Sequence, residues 1–333
     1  MINNTIKNKK LRGILQVAFS LILLTYLLIR VGPAQIVTTL VEINPVWFGV
    51  AFALFLLNVV LRAYRWHILL RSLDDRPSLP YLIYLYFVGY FFNNFIPTGF
   101  GGDVVKVISL RQNYGRGTEA LSSVMMDRLT GLLGSSIIAL LALIWNLLAP
   151  SMHIAVPPPL LWVAFFISMS IPTGFLFLRY TNPLAWLARV FPFTRPVTGN
   201  EKLLRLAATI RRYPLWTLVQ SLLISLPFTL NLILVQFTVA RALNVDVALP
   251  LFALFVPIIA IVNLLPISFN VLGTREGIYL LLFVPVGIPQ NQAVAMSLAY
   301  YFLRVSTGLI GGILLAIRSL SQITRPAPVK TDT

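Results

Sequence analysis

The sequence predicts an all-α, polytopic membrane protein of about six full spans plus two oppositely oriented re-entrant helical hairpins, arranged as an inverted-topology repeat. Three observations carry that expectation. Charged residues make up only 11% of the chain against 58% hydrophobic, whereas soluble chains carry about a quarter charged. Apolar runs of around 20 residues recur from end to end, and such a helix, at about 1.5 Å per residue, crosses about 30 Å of hydrocarbon. Basic residues gather between these runs rather than along them. Only helices and closed barrels satisfy their backbone groups in lipid, and continuous apolar runs lack a barrel strand's alternation.

The elements follow in order. Lys7, Lys9, Lys10 and Arg12 precede an apolar run to about Ile29. The run is too long for a signal peptide and no A-x-A-like site follows, so it is read as an uncleaved first span. Full spans are expected at about 12–30, 45–66, 120–148, 160–178, 214–240 and 291–317. Basic loops stay in the cytoplasm. Lys7–Arg12, Arg62–Arg76, Lys106–Arg116, Arg179–Arg212 and Arg318–Lys330 then lie inside, with Arg30 and Arg241 outside. This orientation places both termini in the cytoplasm of a multi-pass cell-membrane protein. It also puts Arg76 and Arg111 on one side, so the stretch at about 79–112 must enter and return. The stretch at about 250–286 does the same from the other side.

Each hairpin turns at proline and glycine, Pro97 to Asp103 and Pro266 to Gly273, which end helices and permit tight return. Asn94 stands three residues before Pro97, as Asn263 does before Pro266. Arg128 precedes Gly131 and Gly134, and Arg304 precedes Gly308 and Gly311. These correspondences divide the chain into repeat 1 (1–150), repeat 2 (151–320) and a cytoplasmic tail (321–333). Inverted repeats of this kind place binding sites near the midplane, at broken helices.

Several chemistries are excluded. Without cysteine there is no disulfide, thiolate nucleophile or cysteine metal site. His67 and His153 are far apart, so no metal or other cofactor is expected. Neither a Walker loop nor an H-E-x-x-H motif occurs. The net charge of +16 reflects membrane orientation rather than nucleic-acid binding.

Asp103, Asp127, Arg128, Arg275, Glu276 and Arg304 lie in or beside apolar runs, at about 2.5–3.5 kcal/mol each if unpaired at the bilayer centre. Adjacent residues diverge by about 100° around a helix, so Asp127 and Arg128 need separate partners, and cross-repeat pairs of Asp103 with Arg304 or Arg275 are expected. One reading makes these groups register-fixing ion pairs. The other is an anion site, with helices starting at Gly101-Gly102-Asp103 and Gly273-Thr274-Arg275 presenting free N–H groups. Asp103 would oppose an anion at its own helix start, which favours the second hairpin. In this reading Arg128, Arg275 and Arg304 hold the anion, and Asn94 and Asn263 brace the turns. Pro97, Gly101, Gly102, Pro266 and Gly273 shape those turns. Arg62, Arg65 and Trp66 read as an interfacial belt that can gather anionic headgroups, with Lys106 in the same role. Residues 199–213 read as an interfacial helix.

The ordered motifs Arg62-x-x-Arg65-Trp66, Asn94-x-x-Pro97, Gly101-Gly102-Asp103-x-x-Lys106, Asp127-Arg128-x-x-Gly131-Leu132, Pro266, Gly273-Thr274-Arg275-Glu276-Gly277 and Arg304 resemble a known family. It is the integral-membrane, flippase-like module of bacterial lysylphosphatidylglycerol synthetase-flippases, and the likeness runs over roughly 45–318. Three positions depart from its pattern: Lys106 for the usual Arg, Asp127 for Glu, and Asn270-Val271 in an often glycine-rich stretch. The chain stops at Thr333, so the resemblance implies the stand-alone form without the aminoacyl-transferring domain, and no enzyme activity. It implies translocation of a lipid or lipid-linked intermediate, with anionic membrane lipids as partners. Small-solute or ion-coupled transport is the second reading. A non-transporting membrane partner of a cell-envelope enzyme is the third.

Overall fold

The computed structural model describes residues 33–73, 77–95, 100–115, 117–148, 156–181, 183–190, 201–264 and 273–323. Among them there are helices and turns and no strand. Helix α1 spans Pro33–Val41, α2 Pro45–Arg71, α3 Leu79–Phe95, α4 Gly101–Tyr114 and α5 Gly117–Leu148. Then come α6 Pro158–Tyr180, α7 Pro183–Val190, α8 Glu201–Arg212, α9 Leu215–Ala242, α10 Leu249–Leu264 and α11 Thr274–Phe283. A 3-10 turn at Val284–Val286 leads into α12, Gln290–Ile323.

Five of the described helices are long and apolar enough to cross a membrane: Pro45–Arg71, Gly117–Leu148, Pro158–Phe177, Leu215–Ala242 and Gln290–Ser319. They fall on five of the six expected spans. The sixth, at 12–30, lies outside the described residues, as do the hairpin tips with Pro97 and Pro266 and the chain beyond residue 323. The outer faces carry the apolar side chains, among them Ile144, Trp162, Phe166, Leu223, Leu309 and Ile313. Polar groups such as Ser122, Ser135, Ser221 and Thr229 are buried. Apolar outer faces suit a lipid surround.

Local chemistry sets the helix ends. The Asn44 carboxamide accepts from the Val46 and Trp47 amides, and Pro45 occupies the first turn of α2, where its missing N–H costs nothing. Helix α4 stops at Gly115, whose φ of 74° is the left-handed value that glycine tolerates best.

Helices α2 and α9 run antiparallel at the centre, and each sends an asparagine to the other's backbone. Asn58 donates to the Phe228 carbonyl at 3.1 Å and Asn231 to the Leu54 carbonyl at 2.8 Å. The surrounding packing is reciprocal. From the first half α3 lies on α12, and from the second half α10 lies on α5. Helices α3 and α4 form an antiparallel pair: Asn113 donates to the Tyr81 hydroxyl at 2.6 Å, and Asn93 of α3 accepts from the Gly102 amide at the start of α4. In the second half, Phe283 near the end of α11 packs on Phe252 and Phe255 in α10.

Glycines set the approach of α12 to α3. A Cβ built at Gly311 would lie 2.0 Å from the Phe87 carbonyl oxygen, and one at Gly308 would meet the Asn94 amide and the Tyr90 backbone. Gly134 of α5 gives the same closeness to Ser225 of α9. Gly311→Ala should therefore destabilise the protein by about 1–3 kcal/mol through overpacking. Gly174→Ala in α6, where a Cβ meets nothing within 4 Å, should be neutral or stabilising. Thermal unfolding of both variants in detergent checks the contrast.

Candidate functional site: a basic cavity between the two halves

The centre of the molecule is built around Asp127 of α5. Its carboxylate is buried and accepts from Arg65 Nε at 2.7 Å and from the Tyr86 hydroxyl at 2.7 Å, with Arg62 Nε 3.8 Å away. Arg65 also donates to Ser225 on α9 at 3.1 Å. Gly131 makes room for it, since a Cβ there would stand 2.7 Å from Arg65 Nη1. One carboxylate thus holds α2 and α3 to α5, and through Arg65 reaches α9.

The next residue, Arg128, points elsewhere and pairs with Asp103 on α4. Asp103 is also 3.4 Å from Lys106. The cations lie against aromatic faces, which suits charge held away from water. Lys106 Nζ is 3.3 Å from the Tyr86 ring centroid, and Arg128 sits over Phe100 at 4.2 Å.

Beside this cluster is a cavity of about 200 Å³. The first half lines it with Arg62, Arg65, Tyr86, Asn93, Asp103, Lys106 and Arg128. The second half contributes Phe228, Asn263, Arg275, Tyr300 and Arg304. Arg275 stands at the start of α11, only 4% exposed. Its guanidinium lies over the Tyr301 ring, and Nε and Nη1 find no hydrogen-bond partner. It is close enough to Arg304 for the like charges to repel. The cavity has an ion-paired cluster with more cations than carboxylates on one wall and an arginine with unmet donors on the other, and no group of acids and histidines among the described residues could hold a metal.

Several sequence expectations change. Asp103 pairs within its own half, with Arg128 and Lys106, and not with Arg275 or Arg304, because α4 packs on α5. At the start of α4 the Gly102 amide is taken by Asn93. Arg65, Trp66 and Lys106 are not an exposed headgroup belt; all three are buried, and Trp66 donates to Ser123 at 3.0 Å. Arg62 faces the cavity with Arg65 and Lys106.

Asp127 and Glu276 stand behind the lining. Glu276 accepts from the amide of Gly273, which precedes its own helix, and from the Ser297 hydroxyl. Asn94 reaches the Val305 carbonyl on α12 at 3.5 Å, and the turn it was expected to brace lies outside the described residues. Gly101 and Gly102 are buried at the start of α4, and Gly273 precedes α11 with a φ of 104°. Tyr86, Tyr90 and Asn93 were not foreseen. Their spacing of four and three residues along α3 forms one polar stripe on an apolar helix, a signal present in the sequence.

Residues 13–312 match the family model described as the lysylphosphatidylglycerol synthase TM region. The chain belongs to this family. It is similar to a UPF0104 membrane protein of Methanothermobacter thermautotrophicus, 26% identical over 305 residues, covering 85% of this chain and 87% of that relative. No solved structure matches it. The matched region of the family is its transmembrane part, in keeping with a multi-pass membrane protein.

Removing one partner of a buried ion pair leaves the other charge uncompensated. Asp127→Asn should therefore cost about 3–5 kcal/mol. Arg275→Gln removes a charge with unmet donors and should leave unfolding unchanged or raise its midpoint. Thermal or denaturant unfolding in detergent, with no added anionic lipid, distinguishes the two.

Proposed function

We propose that this protein translocates a lipid with an anionic headgroup, or a lipid-linked intermediate, between the leaflets of the cell membrane. The headgroup would enter the basic cavity while its tails stay in lipid, and no aminoacyl transfer by this chain is involved. The observation that carries the reading is Arg275: a buried guanidinium lining the cavity, with donors unmet by the protein. Such a group is stabilised by an anion that arrives and leaves.

The architecture supports transport. Reciprocal packing of α3 on α12 and α10 on α5, with the crossed asparagines of α2 and α9, fits two inverted-topology repeats around a shared site. The hairpin helices have 17, 14, 16 and 10 residues, or about 15–26 Å at 1.5 Å per residue. That is short of about 30 Å of hydrocarbon, as re-entrant elements from opposite faces would be. Both termini would lie in the cytoplasm.

In liposomes containing the purified protein, a headgroup-labelled anionic lipid should equilibrate between leaflets faster than in empty liposomes. Arg275→Gln and Arg304→Gln should each slow this by about tenfold or more, the loss of roughly one charge-assisted hydrogen bond. Flip rates equal to those of empty liposomes would overturn the proposal. Topology is testable separately, because the chain has no native cysteine. Single cysteines at Ser109 and Asn113 should label from the cytoplasm, and at Asn244 and Gln290 from outside.

A further inference from the structure

The cavity carries more positive charge than a phosphodiester would neutralise. Six cations line it, Arg62, Arg65, Lys106, Arg128, Arg275 and Arg304, and the lining includes one acid, Asp103. Asp127 adds a second carboxylate from behind, already engaged by Arg65 and Tyr86. A third, Glu276, is turned to the Gly273 amide and Ser297. A ligand would therefore supply negative charge against this excess, and the unmet Nε and Nη1 of Arg275 are donors it can meet.

Phosphate esters differ in what they can supply. A monoester carries about −1.5 to −2 at neutral pH and presents three free oxygens, with a second pKa of about 6. A diester carries one charge and presents two. Guanidinium forks recognise paired oxygens, and Arg275 and Arg304 face the cavity from two different helices, while Arg128 is already engaged by Asp103. Three free oxygens can serve both arginines, whereas a diester has two to share and a second substituent to place. The cavity, of about 200 Å³, has room for a phosphate and its first ester carbons in either class.

We infer that the cavity selects the terminal phosphate of a phosphomonoester over a bridging phosphodiester. The inference rests on the proposed headgroup role of this site and narrows its substrate class. An aminoacylated phosphodiester fits worst, because its ammonium would enter a space where cations already outnumber carboxylates. The phosphate can be borne by a lipid or by a water-soluble ester, and the test separates them.

The full chain in detergent is titrated with dioctanoyl phosphatidate, dioctanoyl phosphatidylglycerol, the lysyl ester of the latter, and glycerol 3-phosphate. Phosphatidate should bind about tenfold or more tighter than phosphatidylglycerol at pH 7.5, the effect of one extra charge in a partly buried site, with the lysyl ester weakest. The margin should shrink at pH 5, where the monoester loses its second charge. Arg275→Gln should abolish the margin, while Arg241→Gln, in an exposed pair with Asp246, should leave it intact. Should Arg275→Gln not fold, Arg275→Lys keeps the charge without the fork and should retain only part of the margin. Equal binding of both lipids at both pH values would overturn the inference and leave anionic-headgroup binding standing. Glycerol 3-phosphate binding as tightly as phosphatidate would keep the terminal phosphate and overturn the lipid reading. Failure of every probe to bind would overturn both.

Discussion

Asp127 carries the interaction on which the rest of the centre depends. Its carboxylate gathers Arg65, Arg62 and the Tyr86 hydroxyl, and through Arg65 it reaches Ser225 on α9. Charge buried away from water is tolerated only when paired and hydrogen-bonded, so this one acid dictates how close α2, α3, α5 and α9 must come. Glycine and small hydroxyl residues make that approach sterically feasible. Gly131 clears space for the Arg65 guanidinium and Gly134 for Ser225, while Ser135 and Thr229 meet at 3.4 Å further along the same seam. The small residues and the ion pairs are two parts of one solution: close backbones exclude water, and excluded water makes pairing obligatory.

A second carboxylate extends the scheme to the hairpin of α3 and α4. Asp103 binds Arg128 and Lys106, which fixes the first turn of α4 against α5, and Asn93 satisfies the Gly102 amide there. The first half thus pairs both of these carboxylates within itself, although its four cavity-lining cations still outnumber them. In the second half Glu276 serves its helix start and Ser297, and the Nε and Nη1 donors of Arg275 stay unmet. Two halves with matching packing therefore differ in electrostatics, one as a rigid wall and the other as an open demand for an anion. That asymmetry is what turns a gap between helices into a candidate binding site.

Sequence alone showed clearly what depends on neighbours along the chain. Five spans emerged near their observed limits because a membrane-crossing helix is defined by a local run of apolar residues. The starts of α4 at Gly101 and α11 at Thr274 were legible for the same kind of reason. The geometry of adjacent residues also held, since Asp127 and Arg128 do look to different partners. Errors came where an answer depended on which helices touch. Asp103 was assigned across the repeats, yet α4 packs on α5. Asn93, which the matching of Asn94 with Asn263 does not single out, lines the cavity, since one position turns a side chain by about 100°. Arg65 and Trp66 look like an interfacial belt in one dimension, because basic and aromatic residues at a helix end read alike whether they face headgroups or a polar core.

The linear order of residues determined the all-helical membrane class, the placement of the long apolar helices, and the small set of charges that had to be accounted for in an apolar surround. Those follow from hydropathy, helix rise and the cost of burying an ion, which act residue by residue. Tertiary structure decided which charges neutralise one another, which asparagine faces the site, and that Arg275 has donors left over. Pairing energy falls off over a few ångströms, so it is set by helix contacts between residues far apart in the chain, and those contacts exist only once the helices have packed.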